Sequence, residues 1–340
     1  MALPQNPLKL GFLTHVSGAD DPARLLRDTV RLAVAAEELG YDTLWVAQHH
    51  VGAENGRLPS PFVLLAAIAE RTERIRLGTA VVILPLEDPV RAAEDAAVAD
   101  LLSGGRLELG LGSGAHTASY TALGRDPEER RGLFARSSAA LTSALSGRPL
   151  PGGRRLSPHA PGLDRRVWRA THSEEGALQA AAAGQGLLLA RSSLRLAQPV
   201  AELQAPVARA YRDAAASPRL AVTRTVYPAP DRTAALRDLE RGTRAWSAEM
   251  RPDTDWDALD GEELLALHTI HTGPAGHIAR SLAHDPVIRL ADELITQVQP
   301  GEPGFDATLS ALRTIAHDVA PALRRLLPPS VPSQLSEVSP

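Results

Sequence analysis

Three times within the first hundred residues, a short apolar run is followed by a polar residue, a proline and then a helix-like apolar stripe. The runs are residues 8–13 (LKLGFL), 43–47 (TLWVA) and 75–84 (IRLGTAVVIL), and the starts that follow them are Asp21 with Pro22, Ser60 with Pro61, and Asp88 with Pro89. Each start pairs a side chain able to accept from free helical N–H groups with a residue whose fixed φ suits the first helical position. Leu26, Val30 and Ala33 form the stripe of the first helix, and Gly40 stands where a left-handed cap is wanted. The rhythm continues with strand-like runs at 106–111, 166–170, 187–190, 219–227 and 294–298, a mainly helical stretch over 120–145, and helical patterns between the rest. Eight strand-and-helix units point to an α/β chain folded as a (β/α)8 TIM barrel, with a doubly wound open sheet as the chief competitor.

The barrel is expected to occupy residues 1–327 as one domain. The stretch 147–164 (GRPLPGGRRLSPHAPGLD) reads as a long surface loop, because the strand–helix rhythm resumes after it, and residues 252–261 read as an insertion. Residues 328–340 have little to bury and are expected to be disordered.

With 44% hydrophobic and 22% charged residues, a chain of 340 residues can bury a large core. Its formal net charge of −4 argues against nucleic acid and against an acidic membrane, both of which favour a concentrated basic face. No cysteine is present, which excludes disulfides, thiolate metal ligands and a cysteine nucleophile. The opening residues lack the basic and apolar segments of an export signal, and no run approaches the ~18–20 apolar residues of a membrane span. A cytoplasmic protein acting on a small molecule is the expectation. Aromatic residues are only 4%, so a flat ligand would rest mainly on aliphatic side chains and backbone.

In either architecture ligands bind beyond the carboxyl ends of the strands. The tips here are polar: Thr14 and His15, then Gln48, His49 and His50, then Gly112, Ser113 and Gly114. Later tips hold Thr171, His172 and Ser173, and Arg191, Ser192 and Ser193. Free amides at the helix start after Ser173, with its hydroxyl, form an anion site that suits a phosphate; the plainer alternative is an ordinary N-cap. Arg191 could reach the same phosphate or pair with a carboxylate. His49 and His50 point in opposite directions along a strand, so one can face the pocket as a proton acceptor or donor, although a structural pair is the plainer reading. Residues 110–115 (GLGSGA) fit a loose dinucleotide fingerprint only out of place, after three preceding units, and the glycines are read as admitting a flat ligand. His268, His271 and His277 lack a metal-ligand pattern, so no metal is expected, and no G-x-S-x-G elbow supports acyl transfer.

The runs DTLWVAQHH, IRLGTAVVILPLEDPVRAAEDAAVADLLSGGRLELGLGSG and THSEEGALQAAAAGQG, in that order, resemble the bacterial luciferase-like flavin monooxygenases. The resemblance implies a (β/α)8 barrel, usually dimeric, that binds reduced FMN delivered by a separate flavin reductase and uses O2 on a small organic substrate. It implies a catalytic role for His49, with His50 beside it, and a non-proline cis peptide at Ala80–Val81 against the flavin. Thr79, Ala80, Val81, Gly112, Ser113, His172, Ser173, Arg191 and Ser192 would then surround the cofactor. Three positions depart from luciferase: Ser113 replaces an arginine on the phosphate, His172 a glutamate, and Gln48 another glutamate, so light emission from an aldehyde is not implied. Within the same superfamily, a deazaflavin-dependent hydride-transfer enzyme and a non-catalytic flavin-binding protein are the alternatives.

Overall fold

A computed structural model describes residues 8–18, 21–51, 56–191 and 199–327. The expected tail at 328–340 lies outside them, as does Ser192. In chain order the elements are β1 (Lys9–Thr14), α1 (Pro22–Glu38), β2 (Thr43–Val46), α2 (Pro61–Ala69), β3 (Arg76–Thr79), β4 (Val82–Ile83), α3 (Pro89–Leu102) and β5 (Leu107–Gly112). There follow α4 (Thr117–Ala122), α5 (Arg130–Leu145), β6 (Val167–Ala170), α6 (Glu174–Ala182), β7 (Gly186–Leu189), α7 (Val200–Ala214) and β8 (Leu220–Pro228). The chain ends with α8 (Arg232–Met250), α9 (Gly261–Leu267), β9 (His271–Gly273), α10 (Ala275–His284), β10 (Glu293–Gln297), α11 (Phe305–Thr314) and α12 (Ala320–Leu326).

All strand pairings are parallel, and β10 pairs with both β1 and β8. The ring β10–β1–β2–β3–β5–β6–β7–β8 is therefore closed, which rules out the open sheet and, with it, a Rossmann role for residues 110–115. Capping follows local chemistry at two of the three proline starts: Asp21 accepts from Arg24 N, and Asp88 from Val90 and Arg91 N, whereas the Ser60 hydroxyl makes no capping bond.

Several expectations need correction. The buried stripe of α1 is Thr29, Leu32, Ala33 and Ala36, while Leu26 is exposed. Apolar residues flank this helix on both sides, and the packed neighbours choose which side turns inward. The single strand expected over 75–84 is two pieces. Gly78 pairs with Glu108 and Val82 with Leu111, so three residues (79–81) face two (109–110) in a bulge. The helical stretch after β5 is interrupted by Gly124, at φ 67°, and by Pro127, leaving α4 and α5 separate. Finally, the strand β9 extends the upper part of β8 outside the ring, pairing Val226 with His271.

Inside the ring two indoles meet edge to face, Trp45 on β2 and Trp168 on β6, with centroids 5.8 Å apart at 90°. Glycines on neighbouring strands make the room. A Cβ on Gly78 would lie 2.2 Å from Trp45, and one on Gly186 the same distance from Trp168. Each indole N–H donates to a buried carboxylate, Trp45 to Glu293 at 2.8 Å and Trp168 to Glu108 at 2.6 Å. Glu108 also takes Arg76 at 2.5 Å. Full burial, reinforced by the nearby Glu108, pushes the Glu293 carboxyl up to about 7, against the opposing effect of the Trp45 hydrogen bond.

Two outcomes follow for stability. Gly78→Ala should destabilise by about 1–3 kcal/mol through overpacking against a ring with nowhere to move; an unchanged denaturation midpoint would refute this account of the interior. Because the folded state holds the Glu293 proton more tightly than the unfolded chain, stability should fall as pH rises from about 4.5 to 7 and then level off. Glu293→Gln keeps an acceptor for Trp45 without the charge. It should exceed the parent in stability at pH 8 by on the order of 2 kcal/mol, and match it near pH 4.5, in parallel urea titrations.

A candidate active site at the barrel mouth

The C-terminal ends of the ring strands converge on one mouth, and the bulge between β3 and β4 forms a ledge within it. The Ala80–Val81 peptide bond is cis. Both side chains are half-buried and pack on the cluster that contains Trp45, Trp168, Ala170 and Leu188. Thr79 is different: its hydroxyl accepts from Gly110 N and donates to Gly110 O, fully buried. It ties the bulge to β5.

The glycines after residue 109 also serve the bulge. A Cβ on Gly110 would come within 2.0 Å of the Thr79 carbonyl, and one on Gly112 within 2.5 Å of Val81. They admit the neighbouring strand segment. Ser113 is half-buried and its carbonyl accepts from the Tyr120 hydroxyl.

At the tip of β2 the three polar residues divide sharply. Gln48 is buried and spans the rim, donating to Pro59 O at 2.9 Å and to Glu87 at 2.7 Å while accepting from Ile83 N at 2.7 Å. His49 stacks on His15, ring centroids 5.2 Å apart, and Gly56 closes over it where a Cβ would lie 2.5 Å from Nδ1. Desolvation lowers its imidazolium to about 4, the Ala47 carbonyl opposing this and the positive forms of His116 and His50 adding to it. His49 is therefore neutral at pH 7, and its Nδ1 is buried without a hydrogen-bond partner among the described residues. His50 turns toward Glu87, 3.9 Å away, and burial lowers its pKa too. The two histidines thus take the two directions that strand alternation demands.

Ser173 caps α6, accepting from Gly176 N at 3.1 Å, and Thr171 braces it through the Ser173 amide. The first turn carries Glu174 and Glu175, and His172 and Ser173 are exposed. The plain N-cap reading thus describes the hydroxyl, while the remaining amides of that turn stay available. Arg191 is not paired with Ser173. Its guanidinium lies over Trp246 of α8, 4.4 Å from the ring centroid, on the β8 side of β7, whereas Ser173 lies on the β6 side.

Sequence reasoning overlooked what covers the mouth. The end of α8 reaches α4, where His116 Nε2 lies 3.4 Å from Glu249 Oε1, and Ser119 links His116 to the His50 carbonyl. Only the pairing of distant helices reveals this. The loop at 147–164 runs from α5 into the amino end of β6 and so sits at the opposite end of the barrel from these strand tips. His268, His271 and His277 are spread over the end of α9, the start of β9 and α10. Among the described residues no three His, Asp or Glu side chains converge to hold a metal, and no helix is long and apolar enough to cross a membrane.

Comparison with known proteins places this geometry. The luciferase-like monooxygenase family matches residues 9–281. The 4-hydroxyprotoasukamycin monooxygenase of Streptomyces nodosus subsp. asukaensis is 41% identical over 133 residues, covering 39% of this chain and 35% of its own length. The chain therefore aligns with only about a third of that curated relative. Among solved structures, the monooxygenase RslO1 from Streptomyces bottropensis superposes with a TM-score of 0.78 at 24% identity, over 92% of this chain and 99% of its own. The oxygenating constituent of 3,6-diketocamphane monooxygenase from Pseudomonas putida, solved with FMN, gives 0.73 at 18% identity over 94% and 99%. With a closed eight-strand barrel, and a family match across most of its length, the chain belongs to the luciferase-like monooxygenases.

Proposed function

We propose that this chain is the oxygenase component of a two-component monooxygenase. It binds reduced FMN in the barrel mouth, and a separate flavin reductase supplies that cofactor. The observation that carries the reading is the half-buried aliphatic ledge of Ala80 and Val81, with a neutral, buried His49 in the same mouth. When bound, reduced FMN supplies the two electrons with which O2 places one oxygen atom in a small organic substrate and releases the other as water.

The protein's part is to position and to exclude water. Ala80 and Val81 offer a flat apolar rest, held by the Thr79–Gly110 pair and by the missing side chain at Gly112. Ser113 and His172 border the rest, and Ser173 with the free amides of α6 receives the flavin phosphate; Ser192, the other serine assigned to it, lies outside the described residues. His49 carries no charge at neutral pH, since burial holds its pKa near 4. A negative charge placed beside it would raise its basicity, so the imidazole is poised to accept a proton once such a ligand arrives and to return it later. His50, steadied by Glu87, supports that tip from behind.

A homodimer fits the outer surface. Val63 on α2 is 73% exposed, and Val98, Leu101 and Leu102 share one exposed face of α3. A cytoplasmic setting accords with supply by a reductase.

Calorimetric titration should show uptake of FMN more tightly than riboflavin, and Ser173→Ala should narrow that difference by roughly five- to tenfold. Uptake of neither flavin would defeat the proposal, and preferential uptake of a deazaflavin would replace it with hydride transfer. In ring-nitrogen NMR, His49 should remain neutral from pH 8 down to about 5, since its pKa lies near 4. His49→Asn should leave FMN affinity within about threefold yet alter the oxidation rate of the bound reduced flavin by about a hundredfold. An unaltered rate would remove His49 from the chemistry and favour the flavin carrier without turnover.

A further inference from the structure

Two other guanidinium groups are neutralised by carboxylates: Arg166 meets Asp100 at 2.6 Å and Arg224 meets Asp285 at 2.7 Å, contacts that offset the several kcal/mol that desolvating a cation costs. Among the described residues no carboxylate pairs with Arg191. Arg191 stands two residues beyond β7 and is 7% exposed, and its Nη1 has no hydrogen-bond partner among the described residues. Burial alone acts on its pKa, pulling it down to about 9, with no acidic group contributing.

An aromatic ring packs against the guanidinium. The guanidinium carbon lies over the Trp246 ring, 4.4 Å from its centroid, while His268 meets Trp246 edge-on at 5.4 Å and Trp256 at a tilt of 31° and 6.1 Å. His268 donates to or accepts from Ser247 Oγ at 2.7 Å, while burial and the nearby Arg191 hold it neutral. Apart from Arg191, all these residues come from α8 and the segment through the end of α9, which follow β8 in the chain. A guanidinium stacked on an indole keeps its N–H groups in the ring-parallel plane, where a carboxylate can be met by two parallel hydrogen bonds.

We infer that Arg191 on its Trp246 platform is a recognition site for an anionic group, the carboxylate of the organic substrate. The inference rests on the proposed function for the identity of the mouth. A phosphate shares this chemistry. The flavin phosphate is nonetheless assigned to α6, because α6 follows β6 while α8 follows β8, on opposite sides of β7. The substrate would thus be held by its acid at the rim, with its apolar part directed toward the ledge.

The test pairs two sets of titrations on the parent, Arg191→Met and Arg191→Lys, each first checked for a cooperative thermal transition. FMN is compared with riboflavin, and benzoate, phenylacetate and hexanoate are compared with their primary amides, the latter set on both FMN-loaded and flavin-free protein. The parent should bind at least one acid roughly tenfold or more tightly than its amide. Arg191→Met should abolish that preference, Arg191→Lys should keep part of it, and neither should alter the FMN-to-riboflavin ratio. If no acid is preferred, or if Arg191→Met keeps the preference, the inference is overturned; should the Met variant not fold, full preference in the Lys variant counts against the planar fork. Loss of the FMN preference in Arg191→Met would hand the guanidinium to the flavin phosphate instead, which also overturns it. Failure of every titration with flavin would strike the proposed function, while the acid and amide comparison on flavin-free protein would still decide this one.

Discussion

The architecture depends on the contact of two indoles at the barrel axis. Trp45 and Trp168 come from strands that are not neighbours, and their edge-to-face contact sets the width of the ring between them. Both N–H groups are satisfied by buried carboxylates, Glu293 and Glu108, and the glycines at 78 and 186 leave the space that the rings fill. A barrel packed this way is solid below the mouth, so a ligand can only settle above the rings. The ledge of Ala80 and Val81 is the upper surface of that same packing.

Above the floor the rim is electrostatically divided. On the β2 side burial keeps two histidines neutral, and Gln48 knits the strand tip to Ile83 and Glu87 without a full charge of its own. On the β7 side a guanidinium is buried against indole with no carboxylate pairing it among the described residues. Neutral groups that can move a proton and a fixed cation that can orient an acid are different tools. On the proposed roles of His49 and Arg191, their separation around one mouth would let proton handling and substrate placement be adjusted independently.

Much of this was legible from residues alone. Proline-marked helix starts and apolar runs specify eight strand–helix units because capping and burial act within a few residues. The polar tips follow, since ligands in such folds bind past the strand ends. The residues of the resemblance led to the cis bond at Ala80–Val81, which the structure contains. Reading failed where a residue's partner is far away in sequence. The two bonds that tie Thr79 to Gly110, and the packing of Val81 and the Thr79 carbonyl against the glycines near 110, join residues about thirty positions apart that local pattern does not link.

The sequence by itself therefore determined the fold class, the end of the barrel that carries chemistry and the types of residue gathered there, because these depend on short-range periodicity and on chain direction. Tertiary structure alone decided that His49 lies against His15 while His50 turns to Glu87, that the Arg191 guanidinium lies over Trp246, and that residues 147–164 lie at the far end. Those outcomes depend on which distant segments share a dry space, and desolvation and pairing there, not local pattern, set the charge and direction of each side chain.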